Sequence, residues 1–241
     1  MPGGYGKYRK KSSKGKKHYR KSSKSLANNK ALIALIKRVS IKQNELKYVD
    51  YDHGKTELYH NIHNGVGINL LHNGPDQGDG DAQRIGNSIN LSGVKLTLMF
   101  YTKAVRPNTK FKVIIYSAPM NTFSPTSGYS NLFDNVTGNV MIDTMDKDAV
   151  KVHKTMMIYP KNISANLVGF PEAELATEVT QFRKIWIPYR TKVKYIGDNS
   201  SAEITNRTFY CLIMAYDTYG TLVTDNIGAV QCWQRMYYRD P

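Results

Sequence analysis

Basic residues are concentrated at the start of this 241-residue chain, and that distribution limits which part of it can fold. The first 44 residues contain 14 Lys or Arg and no Asp or Glu, whereas the remaining 197 residues contain 20 basic and 19 acidic residues. Nearly all of the formal net charge of +15 therefore lies in residues 1–44. A block of like charge this dense repels itself and buries little apolar surface. We expect residues 1–44 to form a disordered basic arm and residues 45–241 to form the folded domain.

The bulk properties of residues 45–241 suit one domain. A length of about 200 residues is common for single all-β domains. The two cysteines, Cys211 and Cys232, are too few for a disulfide framework and favour a reducing compartment. No apolar run approaches the roughly 20 residues that a membrane span requires. No apolar stretch follows the basic N-terminus, so the sequence predicts neither a membrane protein nor a secretory signal.

A short helix is predicted near residues 26–39, inside the basic segment. Leu32, Leu35, Ile36 and Val39 recur at the spacing of one helical face. Serines that precede this stretch are good N-cap residues. The simplest interpretation is a helix that packs the arm against the folded domain. A membrane-surface helix is the alternative, although its apolar face spans only about three turns.

From Glu45 onward the apolar period changes from 3.6 to 2, which is typical of β-strands. Clusters of turn residues divide this region into eight predicted strands, at about 57–71, 87–101, 111–118, 150–159, 180–189, 192–196, 207–216 and 227–238. Eight strands is the number found in a double-sheet jelly roll. The predicted fold class is therefore all-β, an eight-stranded double-sheet jelly roll that follows a disordered basic N-terminal arm.

Two of these strands carry further information. In 87–101 the apolar positions change phase by one residue at Gly93, which predicts a β-bulge that bends a long strand. The strand 207–216 is apolar at consecutive positions, so we expect it to be buried on both faces.

The longest interval between predicted strands, 119–149, is rich in small polar residues. It predicts a large surface loop with a short strand at Val140 to Ile142, and long loops in compact domains are usually functional or disordered. The only other helical candidate outside the arm, Pro171 to Val179, is short enough to be a loop insertion.

Histidines and carboxylates offer two weak candidates for a metal site. His60 and His63 are three residues apart, and on a strand such residues point to opposite faces. We therefore expect these two, with His53 and His72, to be solvated surface histidines. Three carboxylates, Asp76, Asp79 and Asp81, lie in a glycine-rich segment that lacks the spacing of a calcium-binding loop, which favours a flexible polar turn.

No catalytic motif is recognisable in the sequence. It contains no phosphate-binding loop, no nucleophile elbow and no paired cysteines at zinc-binding spacing. We therefore predict a protein that is not an enzyme and that has no catalytic residue, bound metal or cofactor.

The basic segment is the candidate nucleic-acid-binding site. Each Lys or Arg neutralises a phosphate and releases a counterion, while interleaved aromatic rings stack on unpaired bases. A solubility tail or a nuclear-import signal is the alternative, and nuclear import is compatible with nucleic-acid binding. The predicted contact residues are Lys7, Tyr8, Arg9, Lys10, Lys11, Lys14, Lys16, Lys17, Tyr19, Arg20, Lys21, Lys24, Lys30, Lys37, Arg38 and Lys42.

Several segments together resemble the capsid proteins of circular Rep-encoding single-stranded DNA viruses, the circovirus-like group. The most specific is a Gly/Asp loop followed by Arg84-Ile85-Gly86 and then an Ile-x-Leu strand. The segment from Phe182 to Tyr195, with its Ile-Pro pair, and the terminal Tyr237 to Asp240 agree with the same family. The arm departs from it, because circovirus arms are mostly arginine and this one is mostly lysine, which implies looser contact with the genome.

The resemblance implies a viral capsid subunit with a jelly-roll fold that assembles, most simply as 60 copies, around a circular single-stranded DNA genome. It places the protein in the virion and, during assembly, in the host nucleus. The implied partners include an unidentified host receptor but no membrane. The loops 72–83, 119–149 and 197–206 would then form subunit contacts or the outer surface. A coat protein of a small or satellite positive-strand RNA virus shares arm and fold and is the main alternative. A cellular nucleic-acid-binding module is the other.

Overall fold

The computed structural model describes residues 29–36, 39, 44–71, 74–103, 106, 108–119, 132–134, 136–160, 178–196, 203–204, 208–219 and 222–241. The chain divides into two compact units, Met1–Asn44 and Glu45–Pro241. In the first unit, residues 29–36 and 39 are helical and their side chains are exposed. No helix within these described ranges has the length and apolarity needed to cross a membrane.

The described part of the second unit is built from β-strands. They are β1 (Lys47–Tyr59), β2 (Val66–Asn69), β3 (Ser88–Lys103), β4 (Thr109–Ala118), β5 (Lys151–Ile158), β6 (Glu178–Ile196), β7 (Glu203–Ile204), β8 (Thr208–Asp217) and β9 (Asn226–Arg239).

These strands form two antiparallel sheets with the connectivity of a jelly roll. The first sheet has the order β1-β9-β3-β6-β7 and the second has the order β2-β8-β4-β5. Apart from the two-residue β7, eight strands remain, and they pair β1 with β9, β2 with β8, β3 with β6, and β4 with β5. Pairing first with last and alternating between two sheets is the wrapping of a jelly roll. The predicted eight-stranded double-sheet jelly roll is therefore confirmed.

The predicted bulge in the second candidate strand is present in β3. Both ladders that β3 forms, with β6 and with β9, change register between Leu91 and Gly93. A Cβ atom at Gly93 would clash with the ring of Trp186, so only glycine allows that ring to lie across β3.

The main core lies between the two sheets. The inward side chains of β3 are Ile89, Leu91, Val94, Leu96, Leu98 and Phe100, and all are buried. Phe100 meets Phe111 of the opposite sheet, with 4.8 Å between the ring centroids. Each large side chain buried in this way stabilises the fold by about 1.5–3 kcal/mol. Cys211 and Cys232 are free buried thiols in this core, and burial raises the pKa of Cys232 to about 12.

A second core covers the outer face of the sheet β2-β8-β4-β5. Leu132, Phe133, Val140, Met145 and Val150 are buried there against apolar side chains of β4 and β8. The described part of 119–149 is a surface loop that packs over this sheet, and Val140 to Ile142 forms a turn rather than the predicted short strand. Apolar residues on both faces of β8 are buried, as its sequence predicted.

Three predicted strand boundaries are wrong. The candidate strand 57–71 joins the end of β1 to β2, and β1 begins ten residues earlier, at Lys47. The first ten residues of β1 were not predicted as a strand. β1 is an edge strand with acids on its outer face and a register shift between Asp52 and Lys55, so its sequence shows little alternation. The candidates 180–189 and 192–196 form the single strand β6. Most of the helical candidate 171–179 lies outside the described residues, and β6 already begins at Glu178.

Candidate nucleic-acid interface

Only one of the sixteen predicted nucleic-acid contacts lies in the described part of the chain. Lys30 is in the helical segment 29–36 and is exposed. The others lie outside the described residues, and their role stays a prediction; they are Lys7, Tyr8, Arg9, Lys10, Lys11, Lys14, Lys16, Lys17, Tyr19, Arg20, Lys21, Lys24, Lys37, Arg38 and Lys42.

The Arg-Ile-Gly motif is organised around a buried arginine. Arg84 is fully buried, and its Nε donates to the carbonyl of Pro75 at 3.1 Å. Its guanidinium also donates to Gln77 Oε1 at 3.3 Å and to the carbonyl of Gly86. The planar fork of arginine satisfies several acceptors at once, which a lysine cannot do in the same geometry. Arg84 therefore closes the turn that precedes β3.

Gly86 supplies the backbone conformation that this motif requires. Its φ is +78°, in the left-handed region where glycine carries no steric cost. The neighbouring Ile85 points outward and is exposed, and its backbone N–H donates to Asp240 Oδ1 at 2.9 Å. The motif thus joins the turn before β3 to the C-terminal end of β9, and its role is structural.

The carboxylates of the Gly/Asp segment do not converge on an ion site. Asp76, Asp79 and Asp81 are exposed, and backbone hydrogen bonds from Gly78 N to Arg84 O and from Arg84 N to Asp76 O close the turn. The segment is therefore a polar turn, as predicted, and backbone hydrogen bonds close it. Across the described ranges no three His, Cys, Asp or Glu side chains lie close enough together to hold a metal ion.

Two of the histidines predicted to be solvated surface residues are not. His60 is buried, and its Nδ1 accepts a hydrogen bond from the backbone N–H of Asp217 at 3.0 Å. His63 Nε2 lies 2.7 Å from Asp143 Oδ2, and the side chain is only 11% exposed. His53 Nε2 lies 3.0 Å from Gln234 Oε1, and desolvation lowers the pKa of this histidine. His72 lies outside the described residues.

A buried polar network holds the segment 137–143 against β4. The Nζ of Lys112 donates to the carbonyls of Val140 and Asp143. Burial opposes ionisation of the Asp143 carboxyl, but hydrogen bonds from Thr137 and His63 outweigh it and lower the pKa of Asp143. Desolvation lowers the pKa of Lys112, an effect that the charge of Asp143 partly offsets. Sequence reasoning missed this network because its members are far apart along the chain.

The outer face of the sheet β1-β9-β3-β6 carries aromatic and basic side chains. By strand register, outward positions of the four strands hold six aromatic rings, those of Tyr48, Tyr101, Phe182, Trp186, Trp233 and Tyr237. Within residues 47–58, 88–101, 180–194 and 229–239, the same positions hold seven basic side chains, those of Lys55, Lys95, Lys184, Lys192, Lys194, Arg235 and Arg239, and three acidic ones, those of Asp50, Asp52 and Glu57. We call this surface the aromatic-basic face.

The sequence contains a signal for this face. In 184–186 and 233–237, aromatic and basic residues alternate with buried positions. They occupy the side of each strand that a solvated sheet fills with small polar residues. The alternation therefore marks an unusual outer surface, although it does not show which strands lie side by side.

Comparison with known proteins adds little to this description. A scan against protein-family models finds no match, and a search of curated proteins finds none either. Among solved structures, the chain is similar to that of the semi-empty virus-like particle of the giant freshwater prawn Macrobrachium rosenbergii nodavirus. The similarity covers 82% of this chain and 85% of that chain, at 12% sequence identity and a TM-score of 0.24. A superposition this weak carries no weight for the fold or the function of this chain.

Proposed function

We propose that this chain is a viral capsid subunit whose jelly-roll domain forms the wall of a small icosahedral shell and whose basic arm binds the genome. The observation that carries the proposal is the separation of charge. Residues 1–44 carry 14 basic residues and no acid, while residues 45–241, which fold as a jelly roll, are almost neutral. A near-neutral wall assembles without strong self-repulsion, and a cationic arm binds a polyanion without sequence preference.

Exposed apolar side chains on the loops support assembly. Val136 and Ile142 lie in 119–149, for which the resemblance implies subunit contacts or the outer surface, and both are exposed. Leu222 and Val223, between β8 and β9, are also exposed. Exposed apolar side chains are unfavourable in a monomer, and burying them in an interface between subunits stabilises the assembly. The proposed role is structural and uses no catalytic residue.

The proposed genome is circular single-stranded DNA, packaged in 60 subunits and condensed by the arm inside the particle. This finer assignment rests on the resemblance of the Arg84-Ile85-Gly86 region and the terminal strand to circovirus-like capsid proteins. An electrostatic arm does not distinguish deoxyribose from ribose. A single-stranded RNA genome is therefore the alternative to test. Import into the host nucleus through the lysine-rich arm belongs to the same proposal.

Electron microscopy of the purified full-length protein tests the structural role. Uniform closed particles are expected, whereas a monomer or a small oligomer would contradict the capsid assignment and favour a cellular binding module. Nucleic acid extracted from the particles should be degraded by DNase and resist RNase, and the reverse would contradict a DNA genome. A variant with its arm lysines changed to glutamine should still assemble but should contain much less nucleic acid.

A further inference from the structure

We infer that the aromatic-basic face is a second binding surface for single-stranded nucleic acid, on which unpaired bases stack while the arm neutralises phosphates. The inference rests on the proposed function for the identity of the polymer. The inferred site for unpaired bases lies on the folded domain and is separate from the phosphate-binding arm.

The rings form a connected row across the sheet. The Tyr237 ring on β9 lies 6.3 Å from that of Tyr48 on β1 and 5.5 Å from that of Trp186 on β6, measured between centroids. Tyr48 is 49% exposed, Trp186 is 50% exposed and Phe182, further along β6, is 57% exposed. Large rings left this open in a row are typical of a surface that binds a partner, and each gives a base a flat face to stack on.

The charge of the face fits an anionic polymer. Within residues 47–58, 88–101, 180–194 and 229–239, seven basic side chains face outward against three acidic ones. Each acid is already bound within the chain. The Asp50 carboxylate accepts two hydrogen bonds of 2.7 Å from Arg235, Glu57 accepts one from Tyr59 and Asp52 accepts one from Gly54. Because cations outnumber anions seven to three in these ranges, the net charge of the face is positive, which favours phosphate over an acidic or apolar partner.

The rings are held in place before any ligand binds. The Cζ of Arg235 lies 4.3 Å from the centroid of the Tyr48 ring and 4.9 Å from that of the Trp233 ring. Lys55 Nζ lies 4.1 Å above the ring of Tyr101. Gly93 leaves the space that the Trp186 ring occupies. Side chains fixed in this way lose less conformational entropy on binding.

The face is also close along the chain to the basic arm. The arm ends at Asn44, and Tyr48 is the fourth residue after it. A polymer held by the arm is therefore tethered through the chain to the domain that carries the rings, which raises its effective concentration there. The outer face of the second sheet offers no equivalent, because the described residues 132–150 pack over it.

Intrinsic tryptophan fluorescence of the full-length protein tests the inference directly. The chain has two tryptophans, Trp186 and Trp233, and both lie on the aromatic-basic face. The probes are oligothymidylate and an abasic oligomer of the same length and charge, each labelled for anisotropy. Both oligomers should bind the arm. Only oligothymidylate should quench the tryptophan emission, because only it has bases that stack.

A double variant with a matched control measures the contribution of the rings. In salt high enough to screen the arm, Tyr48→Ala combined with Phe182→Ala should weaken oligothymidylate binding about tenfold. Tyr159→Ala removes an exposed tyrosine at the end of β5, off this face, and should leave binding unchanged.

The possible outcomes separate this inference from the proposed function. Binding of oligothymidylate without quenching would overturn the inference and leave the arm as the binding site. A fluorescence change that depends on protein concentration alone would also overturn it and identify the face as a contact between copies of the chain. Failure of both oligomers to bind would contradict the proposed function itself.

Discussion

The guanidinium of Arg84 lies over the ring of Tyr195, with 4.7 Å between Arg84 Cζ and the ring centroid. Arg84 belongs to the turn before β3, and Tyr195 lies near the end of β6, the neighbour of β3 in the sheet. The backbone N–H of Tyr195 also donates to the carbonyl of Asn87 at 2.9 Å. The cation–π contact and the hydrogen bond thus attach the turn to the first sheet at the same point.

Replacing Arg84 should therefore destabilise the domain strongly. Arg84→Met keeps much of the buried volume but leaves the carbonyls of Pro75 and Gly86 without their donor. We expect the free energy of unfolding to fall by about 3 kcal/mol, measured by urea denaturation of the unassembled full-length chain. Arg190→Met, at an exposed position of β6, is the control and should change it by less than about 0.5 kcal/mol. Equal stabilities of the two variants would contradict a structural role for the motif.

Asp143 should make the cover over the second sheet sensitive to acid. Hydrogen bonds from Thr137 and His63 lower the pKa of Asp143 below its usual 3.8 despite its burial. Its stabilising contribution is therefore complete above pH 3.8 and is lost as the pH falls through the lower folded-state pKa.

Asp143→Asn should destabilise the domain by about 2 kcal/mol at neutral pH. This difference from the wild type should shrink in acid, as followed by denaturation at a series of pH values. Asp148→Asn changes an exposed carboxylate in the same segment and should show no such convergence. A constant difference at all pH values would show that the charge of Asp143 does not contribute.

His60 should destabilise the fold in mildly acidic solution. Desolvation lowers the pKa of His60 below its usual 6.5, although Asp217 and Asp225 act in the opposite direction. The unfolded chain therefore binds the proton more tightly, so this group leaves stability unchanged well above pH 6.5 and reduces it as the pH falls through that value. Protonation at Nδ1 also removes the acceptor for the backbone N–H of Asp217.

His60→Asn tests this assignment, because the Oδ1 of asparagine replaces Nδ1 as an acceptor without titrating. The variant should lose less stability than the wild type between pH 7 and about pH 5, measured by denaturation at each pH. Identical pH profiles would mean that another group is responsible.

Salt dependence should report how many arm charges engage the nucleic acid. For single strands, the slope of log affinity against log salt is about −0.7 for each neutralised phosphate. Changing Lys7, Lys10 and Lys11 to Gln should reduce the magnitude of the slope by about 2.

The matched control changes three exposed lysines of the folded domain, Lys147, Lys151 and Lys154, to Gln. It should leave the slope nearly unchanged. Equal effects of the two triple variants would contradict the assignment of binding to the arm.

Much of the fold could be predicted from local pattern. Alternation along β3 and β9, the bulge at Gly93 and the double-sided burial of β8 are all visible in the sequence, because side chains on a strand alternate between two faces. β1 was predicted only at its end, since an edge strand with a bulge buries few side chains and leaves a weak pattern. Its place beside β9 depends on pairing between residues nearly 200 positions apart.

What the sequence determined by itself is the separation of charge between residues 1–44 and 45–241, together with the inward and outward sides of most strands. Composition and an apolar period of two are local properties of the sequence, so they are visible without knowing which strands pair. Only the tertiary structure decided that Arg84 is buried and holds the turn before β3, and that 132–150 covers the second sheet. It also decided that Tyr48, Trp186 and Tyr237 form one row. Each of these depends on which strands become neighbours, and strand order is set by burial of the whole core rather than by any single segment.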